Sequence, residues 1–124
     1  MTTQEIANKL VAYCRSGNWE DAYKELYSPD CVSIEMEGAP GFTQRAEGMD
    51  AIKAKGEQWQ GMLDEFYGME VSDPVVAGDH FSCSMVMDVK MKGRERAKDE
   101  EIALYRVKDG KIVSEQFFYP VQGS

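Results

Sequence analysis

The sequence predicts an α+β domain with three N-terminal helices packed on a strongly curved, mainly antiparallel sheet that forms an open cone. Two observations predict this fold class. Apolar residues recur at helical spacing up to about residue 65, and they alternate with polar residues after it. The clearest alternation covers residues 81–91 and is typical of a long strand with one buried and one largely solvated face. Because helices and strands form separate runs, we expect the helices to cover one face of the sheet.

Helix signals divide the first half of the chain into three helices. Thr2 and Glu5 form the T-x-x-E pattern of a capping box, and Gly17 is a residue that ends helices. Gly56 lies inside the third helix, where glycine costs about 1 kcal/mol relative to alanine, so we expect a bend or close packing there. The predicted helices cover residues 2–17, 18–28 and 48–63.

Turn residues separate the predicted strands. A Gly/Pro stretch at residues 38–41 ends the first strand, Asp73-Pro74 interrupts the second, and Asp109-Gly110 forms a tight turn between the last two. The predicted strands cover residues 31–37, 66–77, 81–91, 97–108 and 111–119.

Length and composition narrow the class of protein. The 124 residues are enough for one core, so residues 1–124 are predicted to form a single domain. A net charge of −8 argues against nucleic acid and anionic membranes as partners. No apolar run approaches the roughly 20 residues of a membrane span, and the N-terminus does not resemble a signal peptide. We therefore expect a cytoplasmic protein.

Cysteine and histidine patterns predict no metal site and no resident cofactor. Cys14, Cys31 and Cys83 are far apart and lack a C-x-x-C spacing, which favours reduced thiols. Cys14 and Cys83 fall on apolar stripes and are predicted to lie in the core. His80 is the single histidine and follows a turn, where we expect it to be solvated.

Four short motifs, taken in order, carry a family resemblance. They are Ser16-Gly17-Asn18-Trp19, Leu26 to Val32 entering the first strand, Gly48-Met49-Asp50-Ala51-Ile52, and Val107 to Val113 around the last turn. Their order and spacing resemble the nuclear transport factor 2-like superfamily, in its SnoaL-like and ketosteroid-isomerase-like branch. The resemblance spans essentially the whole chain and implies a cystatin-like cone. It does not imply one reaction, because this family includes isomerases, cyclases, dehydratases, hydrolases and binding domains.

The resemblance also implies a general base. In ketosteroid isomerases it is a carboxylate five residues after the aspartate that precedes the first strand, and counting from Asp30 gives Glu35. Those enzymes stabilise the oxyanion with a tyrosine and a protonated acid. Leu10 and Ala103 occupy the corresponding positions here, which argues against a steroid-isomerase mechanism.

Strand alternation adds two further carboxylates. If Ala103 faces the cavity, then Glu101 and Tyr105 face it too, whereas the opposite parity turns Ile102 and Leu104 inward and Glu101 outward. The last strand is predicted to point Val113, Glu115, Phe117 and Tyr119 inward. Glu35, Glu115 and Glu101 are therefore the candidate catalytic residues, as an acid/base group with separated pKa values. The alternative is that Glu101 and Glu115 both lie near the rim, solvated or bonded to Tyr13, Tyr23 or Arg45.

The remaining candidates are aromatic and methionine residues that would line a pocket for a planar, apolar ligand. The same stripes, including Tyr27, are also typical of a plain core. The predicted ligand-binding residues are Tyr13, Trp19, Tyr23, Trp59, Met85, Met87, Tyr105, Phe117 and Tyr119.

Two function classes remain open. One is a cofactor-free proton-transfer enzyme of the isomerase, cyclase or dehydratase type, acting on a small apolar carbonyl compound. The other is a non-catalytic ligand-binding or dimerisation scaffold. The outer face of the last hairpin is predicted to carry Ile102, Leu104, Gln116 and Phe118, which is too apolar for solvent, so we expect a homodimer through this face.

Overall fold

The computed structural model describes residues 1–39 and 44–120, and within them three helices pack on a seven-stranded, unclosed curved sheet. The predicted α+β fold class is confirmed. The predicted break at residues 38–41 lies partly outside the described residues. The elements are α1 (Thr3–Ser16), α2 (Trp19–Leu26), β1 (Tyr27–Ile34), β2 (Arg45–Glu47), α3 (Met49–Met62), β3 (Leu63–Val71), β4 (Val75–Ala77), β5 (His80–Met91), β6 (Ala97–Lys108) and β7 (Lys111–Phe118).

The first helix begins and ends where the sequence predicts. The Thr2 hydroxyl accepts a hydrogen bond from the Glu5 backbone N–H, and the Glu5 carboxylate accepts one from the Thr2 N–H, which completes the capping box. Gly17 takes a left-handed conformation with φ of 71°, where a side chain would be strained. The buried face of the helix is Ile6, Ala7, Leu10, Val11 and Cys14.

The second helix is shorter than predicted. It ends at Leu26, because Tyr27 already has extended backbone and pairs with Ile112 of β7. The prediction that the helix continues to Ser28-Pro29 is therefore wrong. Strand pairing across the molecule, and not the proline, stops this helix.

The sheet follows the order β2-β1-β7-β6-β5-β3, with β4 paired to β5. The predicted run of consecutive antiparallel strands through the second half is confirmed. β1 instead runs parallel to β7, with Ser33 opposite Glu115. This pairing between distant parts of the chain places residues of β1 beside the centre of the sheet.

Of the two alternations left open for β6, the structure has the one in which Ala103 and Tyr105 face the core and Ile102 faces outward. Ala103 and Tyr105 are buried, whereas Ile102 is 54% exposed. The β6–β7 pairing contains a bulge, so that Tyr105 lies opposite Glu115 but Val107 lies opposite Ile112. Because the bulge shifts the alternation by one residue, Ile112 is buried and Val113 is not, and the prediction that Val113 points inward is wrong.

The core lies between the helices and the concave face of the sheet. All three cysteines are free and buried, which confirms that Cys14 and Cys83 are core residues. None of the described helices combines the length and the apolar character needed to cross a membrane.

Candidate active site in the cone

A cavity of about 480 Å³ lies between the concave face of the sheet, the turn from α1 to α2, and α3. Its exposed members Asn18, Glu57 and Gln60 mark the mouth. The predicted site residues that line it are Glu35, Glu101, Glu115, Trp19, Tyr23, Trp59, Met85, Met87, Tyr105 and Phe117. The sheet strands and the helices thus bring the predicted carboxylates and most of the predicted wall to one place.

Glu115 lies at the buried end of the cavity and is 4% exposed. Its carboxylate accepts hydrogen bonds from the Tyr27 hydroxyl and, at 2.7 Å, from the Ser33 hydroxyl. Burial is the main reason that the pKa of Glu115 is raised, and the nearby Glu35 raises it further. The two hydroxyl donors and Lys55 oppose this rise in pKa. Glu115 is therefore an internal carboxylate whose lone pairs are largely occupied by protein donors.

Glu35 forms a buried ion pair with a lysine of α3. The Lys55 Nζ lies 2.6 Å from one Glu35 oxygen, and the Tyr119 hydroxyl donates to the other oxygen at 2.7 Å. The side chains of Glu35 and Lys55 are only 8% and 12% exposed. Lys55 also donates to the Ser33 hydroxyl at 2.5 Å. Ser33 in turn donates to Glu115, so one hydrogen-bond network connects the ion pair to the buried carboxylate.

Glu101 differs from the other two carboxylates because it has no protein donor. It lies on β6, partly buried on the cavity wall, and no residue among 1–39 and 44–120 hydrogen-bonds to its carboxylate. Burial, followed by the charges of Glu35 and Glu115, raises the pKa of Glu101 to about 7, while Lys55 lowers it. Such a group accepts and returns a proton at neutral pH.

Aromatic rings and methionines form the rest of the wall. Tyr23 and Tyr27 meet edge to face with ring centroids 5.0 Å apart, and Tyr105 stacks on Phe81 at 4.8 Å. Cys14 also lines the cavity, but burial raises the pKa of its thiol to about 12, which keeps it protonated and unreactive. The wall therefore suits a mainly apolar compound with polar atoms at one end.

The described residues contain no group of three or more His, Cys, Asp or Glu side chains arranged to hold a metal ion.

The sequence matches the SnoaL-like domain family over residues 1–119, and the match covers almost the whole fold. The chain belongs to the SnoaL-like domain family. The resemblance predicted from the order of the motifs is thereby confirmed. A search of curated proteins found no match.

Solved structures support the same family. A protein of Mesorhizobium loti, provisionally named a SnoaL-like polyketide cyclase, is 33% identical, with a TM-score of 0.88 over 96% of this chain and 100% of that chain. A protein of unknown function from Xanthomonas campestris with a cystatin-like fold is 20% identical, with a TM-score of 0.82 over 98% and 93% of the two chains. TerC, co-crystallised with polyporic acid, is 16% identical, with a TM-score of 0.79 over 96% and 92%. The last two show the fold alone.

Two predicted ligand-binding residues of this SnoaL-like domain do not line the cavity. The Tyr13 hydroxyl donates to Glu25, which is a contact between α1 and α2. Tyr119 lies behind Glu35 and donates to it, so it orients the carboxylate and does not form the wall. The hydroxyl groups of both tyrosines are used by protein carboxylates.

Sequence reasoning did not identify Lys55 and Ser33 as site residues. It named Tyr27 among the aromatic residues that could line a pocket, and Tyr27 does line the cavity, but its hydrogen bond to Glu115 was not predicted. A sequence signal for Lys55 existed, because it lies between Ile52 and Trp59 on the apolar side of α3, where a lysine needs a partner. No sequence signal placed Ser33 or Tyr27 beside Glu115, since only the parallel pairing of β1 with β7 brings them there.

Proposed function

We propose that this SnoaL-like domain binds a small, mainly apolar carbonyl compound in the cavity and catalyses proton transfer at the carbon beside the carbonyl. Glu101 accepts the proton as the general base and returns it as the general acid. The observation that carries the proposal is the combination of position and charge state. Glu20 and Glu57 also line the cavity, but both are exposed. Of the three glutamates on the sheet side of the cavity, Glu101 is the one without a hydrogen-bond donor among the described residues, and its pKa of about 7 suits both directions of transfer.

The other two carboxylates are less suited to this step. Glu35 is paired with Lys55 and Tyr119, and Glu115 accepts two hydroxyl protons. In both groups each oxygen already accepts a hydrogen bond from the protein, which favours the charged form over the protonated one. Glu35 occupies the position of the general base in ketosteroid isomerases, but in this chain it holds Lys55 and Tyr119 in place. Glu101 on β6 takes the proton instead.

One comparison supports a carbonyl compound as the ligand class, because the 33% identical Mesorhizobium loti protein is provisionally named a SnoaL-like polyketide cyclase. The walls of this cavity are aromatic rings and methionines, and about 480 Å³ is room for a small multi-ring compound.

The proposal is tested with 2-tetralone, a two-ring ketone with activated protons between its ring and its carbonyl. In D₂O, NMR follows the exchange of these protons for deuterium. We expect the protein to accelerate exchange and the rate to rise as pH climbs through about 7, because Glu101 must be ionised to act as the base.

The decisive comparison is between Glu101→Gln and Glu100→Gln. Glu100 is the exposed neighbour on the same strand and does not line the cavity. We expect Glu101→Gln to slow exchange by roughly 100-fold or more, which is the lower range for general acid–base catalysis, and Glu100→Gln to behave as the wild type. Binding of 2-tetralone without any exchange above the buffer rate would leave a binding domain and refute catalysis.

A further inference from the structure

The ammonium group of Lys55 is the most unusual feature of the cavity wall, since it is a positive charge held among aromatic rings. Resting on the proposed function, we propose that Lys55 binds the carbonyl oxygen of the ligand and stabilises the negative charge that forms on it. The site would then select compounds that present an acceptor oxygen toward α3.

Three contacts hold the Lys55 ammonium in one position. The Glu35 carboxylate, directly after β1, and the Ser33 hydroxyl on β1 accept two of its N–H groups at 2.6 and 2.5 Å. The Phe117 ring on β7 lies below it, with 5.2 Å between Nζ and the ring centroid. A flexible lysine side chain is therefore oriented before any ligand binds, which removes the entropy cost of ordering it later.

One donor of the ammonium remains for the ligand. A protonated lysine has three N–H donors, and the described residues accept two of them. Lys55 lines the cavity together with its helix neighbour Gly56, and a Cβ built on Gly56 would meet nothing within 4 Å. The cavity thus reaches the backbone of α3 beside Lys55, and it leaves room there for a ligand atom.

Stability alone is a weak reason for this arrangement. Replacing a buried ion pair by apolar residues is often neutral or stabilising, because the desolvation of two charges offsets their attraction. A buried lysine in a wall of aromatic rings and methionines therefore indicates a role that an apolar side chain would not fill.

Charge balance explains what Lys55 contributes to the reaction. When Glu101 removes the proton, the C–H bond breaks, an O–H bond forms on Glu101, and the electron pair moves onto the ligand oxygen as an enolate. Glu101 becomes neutral, and the new negative charge lies in a cavity that already holds Glu35 and Glu115. Lys55 is close enough to both Glu101 and Glu115 to lower their pKa values, so it also reaches the enolate charge that replaces the charge of Glu101.

A second donor competes for the ligand oxygen. Tyr105 is 2% exposed, lines the cavity, and its hydroxyl has no hydrogen-bond partner among the described residues. It is neutral, and a hydrogen bond from a charged donor is roughly twice as strong, which favours Lys55. The experiment must separate the two donors.

The test compares 2-tetralone with tetralin, which has the same two-ring frame without the carbonyl. Lys55→Met alone leaves Glu35 buried without its partner and risks unfolding, so the informative pair is Glu35→Gln against Glu35→Gln/Lys55→Met, which differ only at Lys55. We expect the double variant to bind 2-tetralone about tenfold more weakly by equilibrium dialysis, with tetralin binding unchanged. Lys24→Met, an exposed lysine on α2, controls for loss of a positive charge.

Infrared spectroscopy of bound 2-tetralone gives a readout that a structural role for Lys55 would not move. We expect the carbonyl stretch at lower frequency in Glu35→Gln than in the double variant, because a hydrogen bond to the ammonium weakens the C=O bond. A low frequency that persists without Lys55 and disappears in Tyr105→Phe would assign the oxygen to Tyr105 and overturn the inference.

If 2-tetralone binds and exchanges through Glu101 with no effect of Lys55, only this inference falls. If 2-tetralone does not bind at all, the proposed function falls with it.

Discussion

At the scale of single residues, the three glutamates on the sheet side of the cavity behave differently because their donors differ. Glu35 has a lysine and a tyrosine, Glu115 has two hydroxyl groups, and Glu101 has no donor among the described residues. Desolvation favours the neutral form of a carboxyl group, and each donor to the charged form opposes it. Glu101 therefore keeps the capacity to exchange a proton, and the other two glutamates organise the site around it.

The pKa of Glu101 predicts a pH-dependent stability. Its pKa rises from 4.5 to about 7 on folding, so its carboxyl group is protonated in both states below pH 4.5 and costs stability as pH climbs through about 7. We expect Glu101→Gln to be more stable than the wild type by up to about 3 kcal/mol above this range. The measurement is urea unfolding of both proteins between acid and mildly alkaline pH.

The control for this effect is again Glu100→Gln. Its side chain is exposed, so its stability difference from the wild type should not follow pH in the same way. A difference between Glu101→Gln and the wild type that stays constant from pH 4.5 to 8 would show that Glu101 has an ordinary pKa. The general-base proposal would then lose its basis.

At the scale of elements, α3 shapes the cavity through Gly56, which has no side chain. The sequence predicted a bend or close packing at Gly56, and close packing is not found, because a Cβ there would meet nothing within 4 Å. Gly56 instead lines the cavity. Gly61 lies one and a half turns later, is exposed and does not line the cavity, and it also has nothing within 4 Å. The two glycines are therefore a matched pair for testing the cavity.

We expect Gly56→Leu to block 2-tetralone binding, because its side chain would occupy the space beside Lys55. The variant should stay folded, since leucine is a better helix former than glycine by up to about 1 kcal/mol. Equilibrium dialysis measures the binding, and thermal unfolding checks the fold.

Gly61→Leu should gain similar helix stability and bind 2-tetralone as the wild type does. Equal binding by both leucine variants would place the ligand somewhere other than the cavity between α3 and the sheet.

At the scale of the whole molecule, the convex face of the sheet carries an apolar patch. Ile102 and Phe118 lie opposite each other on β6 and β7 and are 54% and 40% exposed. Leu104 and Gln116 form the neighbouring pair on the same face and are partly buried. Exposed apolar residues that are contiguous in a sheet are typical of an interface, and a two-fold dimer buries the same patch on both copies.

We expect a homodimer at high micromolar concentration, and a monomer when Ile102 and Phe118 are both replaced by lysine. The substitutions place like charges on both copies of the patch and leave the cavity on the opposite face untouched. Light scattering at matched concentrations measures the mass.

Tyr67→Lys is the control, because Tyr67 is 45% exposed and lies on β3 beside Gly68, whose row across the sheet runs through Asp88 and Lys98, outside the patch. A monomeric wild type at high micromolar concentration, or a lysine variant that stays dimeric, would rule out this face as the interface.

The order of elements was determined by the sequence alone, because it depends on local patterns. The capping box at Thr2, the helix end at Gly17 and the alternation of β5 each involve residues within a few positions of one another. Alternation along β6 and β7 predicted Glu101 and Glu115 as candidates, although it left open which face of β6 points inward. Local periodicity thus predicted the fold and most of the cavity wall.

The tertiary structure decided how those residues are connected. The parallel pairing of β1 with β7 places Ser33 beside Glu115, 82 positions apart in the chain, and Lys55 reaches both Ser33 and Glu35 from α3. A single bulge decided that Ile112 and not Val113 is buried. Such outcomes depend on strand register, and a shift of one residue moves a side chain to the other face of the sheet. Register is set by packing across the whole molecule, so no local pattern in the sequence contains it.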